Sequence, residues 1–485
     1  MASKQVIAID LGAESGRVMR ADFDGERLEL HEIHRFLNTP VRAAGTLYWD
    51  ILRQWHEIQQ GIRACGKDIA SLGVDTWGVD FALLDRDGQL VANPMHYRDS
   101  SISDALMEEA FERVPRREMF ERTGIQFMPL NGLFRLAHLA YVDSPQLKAS
   151  SLFLTIADVF NYWLSGSRTC EFTHVTTQQM FNPRQNNWDY EMLSRLGIPT
   201  DILPPIVQPG TRIGEYEGIA VIAPACHDTG SAVVAVPTTN RNYAYLSSGT
   251  WSLLGLEVDA PIINDAAYAA NLTNEGGVYG TYRLLKNIAG MWLIQQCRLT
   301  WQEQGRAFEY SELASLAEGS APFRSLIDPD DPLFIAPGDM PARIREYCQR
   351  TGQPIPQTEG EIVRCIYESL VLKYRYVLEL LTSVSGQTVE YLHIIGGGSR
   401  NVLLNQLTAD GTGCCVIAGP TEATAIGNAL VQLISLGELS DIGQARTLLS
   451  RSAGAQEYQP KNTASWDEPY GKYRSLLERT VTRPE

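Results

Sequence analysis

Asp228 is the sharpest candidate for chemistry in this chain. It follows the apolar run Ile219-Ala-Val-Ile-Ala-Pro-Ala-Cys226 and stands where a small-residue helix, Ser231 to Val236, is about to begin. An aspartate there has two readings. It is a favoured helix cap, and it is a carboxylate that a helix N-terminus keeps ionised at neutral pH, as a proton acceptor must be. On the second reading it receives a hydroxyl proton while a phosphoryl group is transferred. His227 beside it would either orient substrate hydroxyls or join a satisfied core network. Asp10 ends the apolar run Val6–Ile9, either as a simple strand terminator or as a carboxylate holding Mg²⁺ through water. Arg17, near the same turn, faces a phosphate or is merely solvated. Trp77 and Asp80 flank Gly78 and could grip a sugar by ring stacking and hydrogen bonding, although Trp77 taken alone reads as core.

Three glycine-bearing turns could cradle phosphates through backbone N–H groups: Asp10-Leu-Gly-Ala, Ser247-Ser-Gly-Thr250 and Gly396-Gly-Gly398. None matches the P-loop pattern, and no G-x-G-x-x-G lies in a βαβ context. Singly each is weak. Together with Asp10 and Asp228 at strand ends they gain weight, because open α/β sheets bind ligands outside their carboxyl ends.

The elements that must carry these residues alternate between strand-like and helix-like texture, the mark of α/β architecture. Val6–Ile9 and the segment from Gly16 read as a hairpin, residues 51–65 as an amphipathic helix, and Ile69–Asp75 as a strand. Pro237-Thr-Thr-Asn-Arg-Asn242 is turn-rich and places a domain boundary near 240. Beyond it Tyr243–Leu246 and Trp251–Leu256 form a second hairpin that echoes the first, so an ancient duplication is a hypothesis. Residues 360–383 read as a long helix, Leu392–Ile395 as a strand, and Asn401–Asp410 and Ala423–Leu436 as helices, the last capped by Thr421. The expected domains are 1–240, 241–455 and a peripheral tail, 456–485.

Composition narrows the class. The 485 residues carry 41 basic and 57 acidic side chains, a net charge of −16 that argues against nucleic-acid binding. No apolar run is long enough for a bilayer, and Asp10 interrupts the first apolar stretch before it could serve as a signal peptide. Eight cysteines without ligand spacing suit a reducing cytoplasm. The adjacent pair Cys414-Cys415 cannot bridge without strain, whereas a Cys348–Cys365 bridge is possible.

Read together, the motifs resemble those of the FGGY carbohydrate kinases. The resemblance is carried by Asp10-Leu-Gly-Ala-Glu-Ser-Gly-Arg17, Asp75-Thr-Trp-Gly-Val-Asp-Phe81, His96-Tyr-Arg-Asp99, Gly124-Ile-Gln-Phe-Met-Pro-Leu-Asn131 and His227-Asp-Thr229. It continues through Leu246-Ser-Ser-Gly-Thr-Trp-Ser252, Lys286-Asn-Ile-Ala-Gly-Met-Trp-Leu-Ile-Gln295, Gly396-Gly-Gly398 and Ala418-Gly-Pro-Thr-Glu-Ala-Thr424. It spans Val6 to about Gly437 in the family's order.

The resemblance implies an α/β, two-domain actin/hexokinase-like fold with ribonuclease-H-like cores and an interdomain catalytic cleft. It also implies ATP-dependent, Mg²⁺-assisted phosphorylation of a ketose, L-rhamnulose, at its 1-hydroxyl. Carried over by motif, Asp228 is the catalytic base, with Gly78, His227, Thr229 and Asn287 as ketose contacts. Ala13, Glu14, Ser15, Gly16, Arg17, Thr250, Gln295 and Gly397 fall on ATP-binding positions. The sequence departs from the pattern at Gly132, where the family more often has Thr, a change expected to loosen the sugar-side loop; Cys226 also varies. A kinase for another ketose, such as L-fuculose or L-xylulose, is the first alternative. A non-catalytic sugar-binding regulator or an actin-like ATPase is the second, although the few residues before the first strand leave no room for a DNA-binding helix pair. Oligomeric state is not written in the sequence.

Overall fold

The computed structural model describes residues 3–452 and 454–481, which divide into two compact units. The first comprises the chain up to Thr239, the segment Glu257–Leu284 and a stretch beginning at Glu422; the second comprises Asn240–Leu256, Leu285–Thr421 and a stretch beginning at Gly454. The chain thus first leaves the first unit near residue 240, but the expected contiguous span 241–455 is split between the two. The physical reason lies in the helix Ala423–Ser435. Its fully buried Asn428 and Gln432 hydrogen-bond into the first unit's sheet.

That sheet contains β1 (Lys4–Leu11), β2 (Ser15–Phe23), β3 (Leu28–Leu37), β4 (Ile69–Thr76), β5 (Thr211–Tyr216) and β6 (Ile219–Ala223). Its strand order is β5-β6-β4-β1-β2-β3. β1 to β3 form an antiparallel meander, while β4 runs parallel to both β1 and β6. Val6, Ile7, Ala8 and Ile9 are all completely buried, as a continuous apolar run requires of a strand covered on both faces. Neighbouring residues on a strand point to opposite faces, and Val18 and Met19 on β2 show what covers each. Val18 packs against Gly61 in the helix Ile51–Ala64, and Met19 joins Ala8 and Ala425 of the helix Ala423–Ser435.

The second unit's sheet contains β7 (Tyr243–Ser248), β8 (Trp251–Val258), β9 (Tyr282–Ala289), β10 (Tyr391–Ile395), β11 (Cys415–Ala418) and β12 (Gln456–Tyr458). Among the described residues, six of its seven strands run in the order β9-β8-β7-β10-β11-β12, which repeats that of the first sheet, and the strand Thr273–Gly276 extends it beyond β9. The strand senses repeat it too: β7 pairs antiparallel with β8 and parallel with β10, and β10 is parallel to β11, which is antiparallel to β12. The 27-residue helix Glu359–Ser385 opens with a capping box between Thr358 and Glu361, which satisfies donors at its first turn. The C-terminal stretch is not the peripheral tail expected of a polar, proline-bearing segment. Trp466, Tyr470 and Tyr473 are buried, and Trp466 fills space left by Gly411.

All eight cysteines are free thiols, Cys348 and Cys365 included, so the possible bridge between those two is not formed. Among the described residues no helix is long and apolar enough to cross a membrane.

Candidate active site

In the first unit the functional side chains gather at the carboxyl ends of β1, β4 and β6. The parallel pairing of β1 with β4 sets Asp10 opposite Asp75. Beyond β6, Thr76 N–H donates to the Cys226 carbonyl at 2.8 Å, which draws His227 and Asp228 to the same edge. Glu171 fixes that passage. Its carboxylate accepts from Thr173 N at 2.9 Å, Thr173 Oγ1 at 2.6 Å, His174 N at 3.2 Å and Cys226 N at 3.0 Å.

Asp228 is the first residue of the helix Asp228–Val234, and His227 occupies the cap position. The carboxylate therefore does not cap the helix from outside. Its Oδ1 accepts from Thr229 N at 2.5 Å and Thr229 Oγ1 at 3.2 Å, and His227 Nε2 lies 3.5 Å away. Burial raises its pKa above the ordinary carboxylate value, against the opposing pull of His227 and the Thr229 N–H. The helix N-terminus does not hold it low, as the sequence reading supposed. The side chain keeps 29 % of its surface exposed, so the carboxylate has access to a ligand. Behind His227, the Nδ1 atom lies 3.1 Å from Arg283 Nη2 and 3.2 Å from Glu275 Oε2. This buried pair fixes the ring.

Arg17 bonds both Asp10 and Glu422. It is thus neither solvated nor free to face a phosphate with its full charge. Burial, reinforced by the charges of Asp228 and Glu422 and opposed by Arg17, pushes Asp10 up to about 6. Asp75 is raised well above its usual value by burial and then by Asp10; Asn428 Nδ2 donates to its Oδ2 at 2.6 Å, while its buried Oδ1 has no hydrogen-bond partner. The unpartnered Asp75 oxygen, beside the Asp10 carboxylate that repels it, suits a hard divalent cation. Among the described residues no three metal-ligating side chains converge into a ready cage.

The turn between β1 and β2 closes with Gly12 N donating to Ser15 O at 3.0 Å, and Asn38 braces it through the Glu14 and Gly12 carbonyls at 2.9 and 3.0 Å. Ala13 and Ser15 are half-buried, Glu14 is exposed and Gly16 is buried against Phe36.

On the other flank, the sugar-gripping role read for Trp77 and Asp80 is corrected. Asp80 is fully buried, and its carboxylate is consumed by Trp49 Nε1 at 2.6 Å, Trp77 Nε1 at 2.8 Å and Arg135 Nη1 at 2.6 Å. Gly78 does adjoin the site, since a Cβ there would lie 3.1 Å from His227 Nε2. Nor does Gly132 loosen the neighbouring loop, because the Gln178 amide fills the space a side chain would take.

The second unit carries its own site at the ends of β7 and β10. Gly249 N donates to Trp251 O at 2.9 Å, and Met291 N and Trp292 N donate back to the carbonyls of Gly249 and Thr250 at 3.0 and 3.1 Å. A pocket of about 1000 Å³ opens there, lined by Gly249, Gln295, Tyr310, Gly397 and Asn401 among others. Gln295 Nε2 lies 3.4 Å from Thr250 Oγ1, and its buried Oε1 has no hydrogen-bond partner. Gly398 lets the loop close on Ser248, whose Oγ occupies the place of a Cβ. Asn287 is half-buried on β9.

Sequence reasoning missed Asp75, Glu171, Glu275, Arg283 and Asn428. Asp75 ends an apolar strand just as Asp10 does, so the rule that found the one could have found the other. The rest carry no local signal.

Two sheets of one topology, each with a glycine hairpin at its carboxyl edge, define the class. Residues 5–223 match the FGGY family of carbohydrate kinases, N-terminal domain, and residues 244–436 its C-terminal domain. The chain belongs to this family and is a phosphotransferase acting on a carbohydrate. It is 47 % identical over 483 residues to a rhamnulokinase from Bacteroides thetaiotaomicron, covering 97 % of this chain and 99 % of that one. It is 42 % identical over 491 residues to a rhamnulokinase from Pectobacterium carotovorum, covering 99 % and 97 %. The fold is that of a xylulose kinase from Lactobacillus acidophilus, with a TM-score of 0.81, 16 % identity and 99 % of each chain covered. A Plasmodium falciparum glycerol kinase solved with ADP has a TM-score of 0.76 at 16 % identity, covering 100 % of this chain and 99 % of that one.

Proposed function

We propose that this chain transfers the γ-phosphoryl group of ATP to the 1-hydroxyl of L-rhamnulose, in the cytoplasm and with Mg²⁺. The observation that carries the reading is the 47 % identity to a rhamnulokinase across 97 % of the chain, joined to a half-exposed carboxylate at Asp228 backed by the His227–Arg283–Glu275 cluster.

The chemistry asked of the protein is positioning and charge neutralisation, since phosphoryl transfer leaves it little covalent work. Asp228 accepts the proton of the ketose 1-hydroxyl as the oxygen attacks phosphorus. Its raised pKa makes it a stronger base than an ordinary aspartate carboxylate, as that step requires. His227, held by Arg283 and Glu275, and Thr229, bonded to Asp228, orient the sugar, and Gly78 lets it approach His227 closely. Asp10 and Asp75 would hold a divalent cation, which would supply neutralisation of phosphate charge. The amides of the 12–16 turn face the phosphates, and in the second unit Thr250, Gln295 and Gly397 hold the nucleotide. Asn287 is assigned to the ketose.

The test is ADP release with L-rhamnulose, L-fuculose and L-xylulose as acceptors. The expected result is the highest kcat/KM with L-rhamnulose. A higher value with another ketose would reassign the substrate, and no turnover with any ketose would end the kinase reading.

A further inference from the structure

We propose that Gln178, seated in the space that Gly132 leaves, is a positioning residue that sets ketose affinity through the backbone of Gly78-Val79-Asp80. The inference rests on the ketose-kinase reading and adds to it a residue pair that decides how the sugar-side loop is held.

Val79 has φ +66°, a left-handed conformation that is a true outlier for a β-branched residue and is strained. Such a residue persists only where its surroundings over-determine it. Here they do. Val79 N donates to Thr177 Oγ1 at 3.0 Å, and Val79 O accepts from Arg135 Nη2 at 2.5 Å. Gln178 Nε2 reaches the next carbonyl, Asp80 O, and Thr177 Oγ1, both at 3.4 Å. Leu133 N donates to Gln178 O at 3.0 Å, tying the first turn of the helix Gly132–Tyr141 to the same residue.

The Gln178 side chain is fully buried, and its Oε1 has no hydrogen-bond partner. Burying an amide oxygen in this way costs free energy, and the geometry shows what the burial secures. A Cβ on residue 132 would lie 1.9 Å from Gln178 Oε1, 3.0 Å from its Cδ and 3.1 Å from Val79 O. Any side chain at 132 must therefore expel the amide or push the Val79 carbonyl. The far end of the loop leads into the site, because a Cβ on Gly78 would meet His227 Nε2 at 3.1 Å and Thr177 Cγ2 at 3.2 Å. A shift of Val79 moves Gly78 against His227. Glycine at 132 and glutamine at 178 are thus a size-matched pair, and a larger residue at 132 calls for something smaller at 178.

The experiment compares Gly132→Thr, Gln178→Thr and the double variant Gly132→Thr/Gln178→Thr, with L-rhamnulose and ATP varied separately. Gly132→Thr should raise KM for the ketose about tenfold and leave KM for ATP within about twofold, as expected of a displaced positioning element. The double variant should return the ketose KM to within about threefold of wild type, a coupling that two independent sites would not show. The same order should appear in the melting-temperature shift produced by ketose alone, a reading that needs no turnover. Should Gly132→Thr fail to fold, Gln178→Thr and the double variant decide: the double must bind ketose at least as well as Gln178→Thr. A double variant no better than the worse single one, or an ATP KM that rises in parallel, overturns the proposal. A wild-type protein that phosphorylates no ketose overturns the functional reading instead, so the two failures are distinct.

Discussion

Asp10 and Asp75 stand opposite each other on adjacent parallel strands, yet Asp10 bonds to Arg17 while Asp75 takes its hydrogen bond from the Asn428 amide. One rung of the sheet thus holds two buried carboxylates with unequal compensation. The folded-state pKa of Asp10, about 6, lies above its ordinary 3.8. The folded protein keeps a proton there that the unfolded chain has released between those values. This contribution to stability is complete below pH 3.8 and is lost as pH rises through about 6. Asp10→Asn removes it. The variant should gain stability over wild type at pH 8 relative to pH 5, by on the order of 1–3 kcal/mol in urea unfolding. An unchanged difference between the two pH values would show that Asp10 titrates normally.

Asp228→Asn should lower kcat about a thousandfold, the scale of a lost general base, and leave both KM values within about threefold. Asparagine keeps the acceptor for the Thr229 N–H, so the fold around the helix start is retained. The raised pKa of Asp228 adds a pH signature. Activity requires the ionised form, so the acid limb of kcat/KM should lie above the ordinary aspartate range. A wild-type profile flat down to about pH 4 would exclude Asp228 as the base.

Thr250→Val keeps the shape of the second hairpin, which is closed by backbone bonds through Gly249, Met291 and Trp292. It deletes the hydroxyl that Gln295 approaches at 3.4 Å. KM for MgATP should rise about tenfold, roughly the value of one lost hydrogen bond to a charged group, with the ketose KM unmoved. Equal changes in both would place Thr250 outside the nucleotide site.

What the sequence made legible was whatever is local. Apolar runs ended by Asp10 and Asp228, and turns marked by Gly12, Gly249 and Gly396–Gly398, lie at the strand ends where they were read. The swap of segments between units was not legible, because nothing local in Glu257–Leu284 or Ala423–Ser435 says which sheet will bury it. Asn428 and Gln432 look like ordinary helix-surface residues until their partners, Asp75 and the Ile7 carbonyl, are supplied from more than 350 positions away. Trp77 and Asp80 were misread for the converse reason. Stacking and hydrogen-bonding groups at a turn invite a ligand, but Trp49 and Arg135, distant in sequence, arrive first.

The same helix also predicts a stability defect that reaches the site. Gly427 lies against the helix that Asp228 begins, and a Cβ there would sit 1.7 Å from the Ser231 carbonyl oxygen. That oxygen is backbone and cannot swing aside, so Gly427→Ala must separate the two helices. Alanine favours the helix itself by up to about 1 kcal/mol, yet overpacking a filled contact costs roughly 1–3 kcal/mol, so the clash prevails and urea unfolding should show a net loss. Ser231 N donates to His227 O at 3.1 Å in the same turn, so the displacement carries His227 and Asp228 with it. Gly427→Ala should therefore lower kcat with L-rhamnulose as well as the urea midpoint. A variant as stable and as active as wild type would mean that the helix pair relaxes freely, and that the place of Asp228 does not depend on this contact.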